Sequence, residues 1–354
     1  MLRQELLELL KELTDLRGVS GDEGAVRDAL REIVAPLCDE VLMDSMGNLI
    51  VTKNGGDSSK PHVMLAAHMD EIGFVVMSAT DAGLLRMQPV GGVDPRVVVS
   101  KRVLVGPSAV PGVIGAKAIH LQSAADMDAV LGYDSLYVDV GATSQAKAEE
   151  LCPPGSYITF DSPYLEFGDR RVKAKALDDR VGCLAMVHAL QTARYPGKLT
   201  CAFTVQEEVG LRGAAIAAYR VAPNLALVLE GTTCNDLGDV PPHLQVTRQG
   251  KGVAISVMDL SAIANTALLG AVRAAADSRG ISWQYKQYVA GGTDAGAIHK
   301  SRGGVPCAVL AVPCRYIHSA ASTAHLDDIA AQQALVVACL EDFAKLTFEG
   351  RFVL

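Results

Sequence analysis

The chain has 354 residues, of which 49% are hydrophobic and 20% charged, and a net charge of −8. That length can bury a large core and often divides into two domains, with an ordinary globular composition. The acidic balance, with no Lys/Arg run and no basic helical face, argues against a nucleic-acid partner. The opening MLRQELLELLKELTDLRG interrupts its leucines with charge throughout, so it lacks the apolar stretch of a signal peptide. No apolar run approaches the ~18 residues of a membrane-spanning helix. A soluble, cytoplasmic protein with no membrane contact is expected.

Residues 2–15 place Leu among charges at a 3.6-residue period, which predicts an amphipathic helix. Ser20 followed by Glu23 fits a capping box for a second helix running to about Leu37. EVLMDSMGNLIVTKNGG predicts a hairpin turning at Met46-Gly47-Asn48. Val63 to Ala67 is a wholly apolar run, suited to a strand buried on both faces. From 71 to 163 the chain becomes short strands separated by Gly and Pro, with short helices predicted near 126–132 and 144–151. From Leu177 an α/β alternation resumes: helix 178–193, strand 199–205, helix 211–220, strand 225–229, helix 264–279, a GGTDAG loop, strand 306–312 and helix 327–346. The reading is one α/β domain (1–70 plus 164–354) interrupted by a β-rich insert (71–163). Eight scattered cysteines without a CxxC pair read as buried, reduced thiols rather than a sulfur metal site.

Five short stretches carry metal-ligand residue types: AAHMDE (His68, Asp70), KALDDR (Asp178, Asp179), VQEEVG (Glu207, Glu208), LVLEGTT (Glu230) and RYIHS (His318). Four follow apolar, strand-like runs and the fifth opens a helix, and open α/β sheets gather ligands at the carboxyl ends of their strands. Each alone has a plain structural reading. The two aspartates suit a helix cap, the two glutamates a helix start, and a single His or Glu a hydrogen-bonded loop. Taken together they form a nitrogen/oxygen ligand set without thiolate, which suits Zn²⁺, Co²⁺ or Mn²⁺. Two His and several carboxylates are enough for two metals sharing a bridging carboxylate.

HMDEIGF, KALDDRVGC, QEEVGLRGA, LEGTT, GGTDAG and RYIHS occur in the order found in the M42 family of metallo-aminopeptidases, which includes glutamyl and tetrahedral aminopeptidases. The resemblance extends from GVSGDE through MGNLI and PGVIGAK to LDDI, nearly the whole chain. It implies a mixed-sheet dinuclear metallopeptidase domain with a small, barrel-like dimerisation insert. By the same resemblance, Asp178 is the bridging carboxylate. His68 and Glu230 complete one metal site, and Glu208 and His318 the other. Glu207 looks like the general base acting on a water between the metals, and Asp70 like the partner that orients His68. Many relatives have Asp where this chain has Glu230, which keeps coordination with a longer reach. The resemblance also implies a cis Asp178–Asp179 peptide, two zinc or cobalt ions (manganese being the alternative), and self-association as a dimer or a tetrahedral dodecamer.

The resemblance accounts for two adjacent like charges after a buried strand. Glu208 is neutralised by a cation while Glu207 works beside it, and both face the site only where the strand ends. GGTDAG has no following Lys and is not a P-loop. The family places this loop near substrate, and Gly292, Thr293 and Asp294 read equally as substrate contacts or as turn stabilisers. His120 in the insert reads as structural. The expected activity is removal of N-terminal residues from peptides. The rivals are another dinuclear-metal amide hydrolase, such as a carboxypeptidase or deacylase, and a non-catalytic metal-binding scaffold. A glycosidase needs two carboxylates flanking a sugar ring, not this set.

Overall fold

The computed structural model describes residues 4–123 and 129–347. Helix α1 (Gln4–Asp15) buries Leu6, Leu10 and Leu13 at the spacing that predicted it. Helix α2 (Gly24–Val34) buries Val26, Leu30 and Val34, and one 3-10 turn carries it to Leu37. Its capping box does not form. Glu23 occupies the N-cap position without capping, and its carboxylate accepts from the amides of Gly21 and Gln206 instead. Ser20 Oγ donates to Asp70 at 2.6 Å. Both residues are diverted to a site that is distant in sequence.

Strands β1 (Glu40–Met43) and β2 (Leu49–Asn54) form the predicted hairpin. Asp44 Oδ1 accepts from the amides of Met46, Gly47 and Asn48 to close the turn, and Gly47 supplies its φ of +96°. Strand β3 (Val63–His68) is buried at every position.

The insert supplies β4 (Gly73–Ala79), β5 (Leu85–Val90), β6 (Arg102–Val105), β7 (Val110–Ala116), β8 (Leu136–Asp139), helix α3 (Gln145–Leu151) and β9 (Tyr157–Phe160). Its strands close into a barrel in the order β4-β5-β8-β7-β6-β9, filled by Phe74, Met87, Ile114, Val138 and Phe160. Closure leaves the small module without strand edges. The helix predicted near 126–132 falls partly outside the described residues, and 129–132 are not helical.

The main domain resumes with β10 (Leu165–Phe167), β11 (Arg171–Ala174), α4 (Leu177–Thr192), β12 (Lys198–Thr204), α5 (Arg212–Val221) and β13 (Leu225–Thr233). Next come β14 (Val253–Ser256), α6 (Thr266–Ser278), β15 (Trp283–Tyr285), α7 (Ala295–Ile298), β16 (Cys307–Arg315), β17 (Ser322–His325) and α8 (Leu326–Phe343). The mixed sheet runs β1-β2-β12-β3-β13-β16-β17-β11-β10, with β14 and β15 branching from β16. Its centre, β12-β3-β13-β16, is parallel. Helices α4, α6 and α8 pack their apolar sides on one face, and α5 and α7 on the other. Strands β10, β11, β14, β15 and β17 were not predicted. Each has three or four residues, too few for a two-residue alternation to stand out.

All eight cysteines are free, seven of them buried. No described helix is long and apolar enough to cross a membrane.

Candidate metal centre

The parallel register brings the first pair of site residues together. Ala66 pairs with Val228, and two residues further on His68 and Glu230 emerge side by side, His68 Nε2 lying 3.5 Å from Glu230 Oε2. Glu230 lies within β13, which continues four residues beyond the expected end at 229. Beyond β12, Gln206 takes a left-handed φ of +55° and turns the chain, so strand alternation no longer separates Glu207 from Glu208. Asp178 enters from the start of α4, with its peptide to Asp179 in the cis form. His318 follows β16 on a left-handed residue (φ +57°), packed against Gly92 of the insert, whose carbonyl lies 3.0 Å from its Nδ1. A Cβ at Gly92 would stand 3.2 Å from that nitrogen.

Asp178 faces both imidazoles. Its Oδ1 is 3.4 Å from His68 Nε2, and its Oδ2 is 3.7 Å from His318 Nε2. Each imidazole has a second carboxylate beside it: Glu230 for His68, and Glu208 Oε1, at 3.3 Å, for His318. Asp179 was paired with Asp178 in the sequence but given no ligand role. Its carboxylate nevertheless comes within 4.8 Å of ligand atoms of His68 and Glu230.

Asp70 is fully buried and serves three elements at once. His68 Nδ1 lies 3.0 Å from its backbone carbonyl and 3.5 Å from its carboxylate. The same carboxylate accepts from the amides of Glu207 (3.0 Å) and Glu208 (3.2 Å) and from Ser20. Motif reading assigned it only the imidazole. Its hold on the two glutamates is a tertiary contact with no local signal.

The electrostatics are those of crowded carboxylates. Burial pushes Glu208 up to about 7 and Glu230 up to about 8, and raises Glu207 well above its usual value. Burial alone would lower His68, but Asp178, Asp70 and Glu230 together push it up. The two imidazoles hold Asp178 below the usual carboxylate range despite its burial. Asp179 Oδ2 and Asp294 Oδ1 are buried without a hydrogen-bond partner. An all-nitrogen/oxygen donor set with this deficit of positive charge fits divalent cations.

A cavity of about 510 Å³ opens over the cluster, lined by His68, Asp178, Glu207, Glu208, Glu230 and His318 with Leu211, Lys286, Gly291, Gly292, Thr293 and Ile317 among others. The glycine-rich loop divides here. Gly291 and Gly292 border the cavity directly. Thr293 Oγ1 donates to Asp259 at 2.9 Å. Asp294 is fully buried; it accepts from Thr204 Oγ1 at 2.5 Å, and its amide points at Glu230 Oε1 at 3.4 Å. Asp294 therefore supports Glu230 and does not line the cavity. His120 sits on an exposed 3-10 turn of the insert.

Comparison with known proteins places the chain among aminopeptidases. The family profile described as M42 glutamyl aminopeptidase matches residues 47–335. A lysyl aminopeptidase of Pyrococcus furiosus is 34% identical, covering 96% of this chain and 98% of its own. The structure of an aminopeptidase from the archaeon Desulfurococcus kamchatkensis superposes with a TM-score of 0.92 at 32% identity, covering 99% of both chains. A Pyrococcus horikoshii TET1 peptidase, described as able to assemble into a tetrahedron or a large octahedral shell, has a TM-score of 0.83 at 34% identity, over 94% of this chain and 98% of its own.

Proposed function

The chain belongs to the M42 family of aminopeptidases and is a peptidase hydrolase, and on that premise we propose that it removes N-terminal residues from peptides with two divalent ions and a glutamate base. His68, Glu230 and Asp178 would hold one ion, and His318, Glu208 and Asp178 the other. Zinc or cobalt suits these donors, with manganese as the alternative. When bound, the ions supply Lewis acidity toward the scissile carbonyl and acidify water at the site.

The chain's own residues carry the rest. Glu207 borders the cavity, and its side chain has no hydrogen bond or ion pair among the described residues, which leaves it available to move a proton. It takes a proton from the attacking water as the new C–O bond forms. It returns that proton to the amide nitrogen as the C–N bond breaks, releasing the N-terminal amino acid and a shortened peptide with a free amine. Asp70 holds Glu207 and Glu208 by their amides and fixes His68, so the base and both ligand groups share one support. Gly291 and Gly292 offer backbone to the substrate, with Thr293 beside them.

The observation that carries this reading is the placement of Asp178, whose two oxygens face different imidazoles, each with its own second carboxylate. The test is hydrolysis of aminoacyl-p-nitroanilides by zinc- or cobalt-loaded protein, with N-acetylated controls and a metal count. Two ions per chain and cleavage of only the free-amine substrates are expected. Two ions without cleavage would point instead to another amide hydrolase or to a scaffold.

The barrel insert, taken as 71–163, is the element proposed to pair subunits, in keeping with the assembly described for the TET1 peptidase. The preferred N-terminal side chain is a separate question. The family profile is described as glutamyl and a close relative as lysyl, so this chain's own cavity must decide it.

A further inference from the structure

We propose that a second cavity beside the metal centre receives the part of the peptide that follows the cleaved bond and favours apolar residues there, an inference that rests on the first cavity being the aminopeptidase site. The second cavity, of about 740 Å³, shares Gly92, Ile317 and His318 with the first. The two therefore meet at the His318 imidazole. One wall comes from the insert, between residues 94 and 102, and the other from residues 316–321 after β16. Both walls are pinned. Val98 is buried in the barrel core, the Ser100 amide donates to the Ile114 carbonyl at 2.8 Å, and the Val97 amide donates to the Asp94 carbonyl at 3.2 Å. On the other side the Tyr316 carbonyl accepts from Ser319 Oγ at 2.6 Å and from Ser322 Oγ at 3.3 Å.

The chemistry of the walls determines what fits between them. With Val98 in the core, Val97 and Val99 on either side of it stay 38% and 36% exposed, and Tyr316 on the facing wall is 52% exposed. Covering such groups with apolar atoms removes them from water, which is favourable. The charged groups of the same walls are largely compensated. Asp94 holds Arg96, with Nε 2.9 Å from both carboxylate oxygens, and Asp161 pairs with Arg102. Beside Asp161, Lys173 is taken by Ser162 Oγ at 3.1 Å and by the Pro163 carbonyl at 2.7 Å. Lys101 is the remaining cation of the lining, and it is exposed to water. The direction of the chain follows from the same charges. A free α-ammonium is drawn to carboxylates, and Glu207 and Glu230 line the first cavity while the two carboxylates of the second already have arginines. The N-terminal residue therefore belongs in the first cavity. His318 stands beside Asp178, Nε2 to Oδ2 at 3.7 Å, so a chain cleaved over Asp178 enters the second cavity with the residues directly after the broken bond.

The plain alternative is that a second copy of this chain covers the same apolar wall, since the insert is also the element proposed to pair subunits. The two roles differ in what a charge at the wall does. A subunit contact broken by Val99→Asp lowers the mass in solution. A subsite broken by the same change alters how the residues after the cleaved bond are read. Burying one apolar side chain there is worth roughly tenfold or more in kcat/KM. Val99→Asp and Val97→Asp should lower the preference for apolar over glycine residues by about that factor, mainly through KM, and two variants keep the test intact where one fails to fold.

The experiment uses the full-length, metal-loaded protein with the amidated peptides Xaa-Leu-Leu and Xaa-Gly-Gly, where Xaa is the residue cleaved best as its p-nitroanilide. The p-nitroanilide is the reference substrate, and light scattering supplies the mass in solution. A preference for Xaa-Leu-Leu that collapses in the variants at unchanged mass supports the proposal. No such preference in the native protein, a preference that survives both substitutions, or a lower mass in the variants overturns it and leaves the aminopeptidase standing. No cleavage of any free-amine substrate overturns both.

Discussion

Glu207 and Glu208 differ by one position yet are assigned different work, and exchanging each for Gln separates the two roles. Gln keeps the shape of Glu and removes its charge. Glu208 Oε1 lies 3.3 Å from His318 Nε2, inside the cluster around Asp178. The Glu207 side chain makes no such contact, and its amide bond to Asp70 (3.0 Å) belongs to the backbone, so Glu207→Gln leaves it intact. Glu207→Gln should therefore retain two ions per chain and lose the roughly 100- to 10,000-fold that a general base contributes, about 3 to 5 kcal/mol of barrier. Glu208→Gln should lose metal. Replacing even an outer partner of a metal ligand costs roughly 10- to 100-fold in affinity, and a ligand itself should cost at least that. Metal content after gel filtration, measured with kcat on the best p-nitroanilide, decides the matter. Equal metal loss in the two variants, or a fall in kcat of less than about tenfold in Glu207→Gln, would refute this division of labour.

Two further outcomes follow from the geometry. A Cβ at Gly231 would stand 3.0 Å from Asp178 Cβ and Oδ1. Gly231→Ala should thus displace the shared carboxylate, costing about 1 to 3 kcal/mol of stability and at least tenfold in metal affinity by analogy with outer-partner losses; unchanged affinity in a metal titration would show that Asp178 has slack. His62, hydrogen-bonded to Thr200 Oγ1 at 2.8 Å, is lowered by burial from 6.5 to about 4. Between those values the unfolded chain binds the extra proton, so stability is intact above pH 6.5 and falls as pH drops toward 4, by about 3 kcal/mol in all. Urea unfolding across that range should show a shallower acid slope in His62→Gln; an unchanged slope would place the loss elsewhere.

The residues that carry chemistry were legible because they stand next to strong local patterns. His68 closes a strand that is otherwise all apolar, and Glu207 and Glu208 follow one that is buried from Leu199 onward. The barrel was legible as texture, in short strands with Gly and Pro between them. What stayed hidden is what distant segments do to one another. Ser20 and Glu23 fit a capping box locally, yet tertiary partners outcompete the cap: Asp70 for Ser20, and the Gln206 amide for Glu23. Asp294 reads from sequence equally as a substrate contact or a turn stabiliser, and only the fold shows its carboxylate turned to Thr204. Val97, Val99 and Tyr316 belong to no motif, and only the fold brings them to one cavity.

Behind the site, Glu71, Lys175 and Arg180 form a buried cluster that explains how the carboxylates keep their positions. Lys175 Nζ donates to Glu71 Oε1 at 2.7 Å and to the carbonyl of Leu16 at 2.5 Å. Glu71 also accepts from the Gly18 amide at 3.0 Å. Arg180, with no exposed surface, donates to the carbonyls of Met69 (3.0 Å) and Leu13. Gly18 leaves room for it, since a Cβ there would lie 2.8 Å from Arg180 Nη2. Buried charges of this kind do little for net stability against apolar replacements, but removing one partner leaves the others uncompensated, at a cost of about 3 to 5 kcal/mol. Their location points to a positional role. Met69 lies between His68 and Asp70, Glu71 follows them, and Arg180 follows Asp178 and Asp179. The Arg180–Met69 bond therefore ties the two segments that carry His68 and Asp178 directly, and Lys175 and Glu71 tie both to the loop after α1. The cluster also places two cations against one carboxylate immediately behind a centre rich in carboxylates. The fold thus offsets part of the repulsion at the site from the side that substrate does not reach.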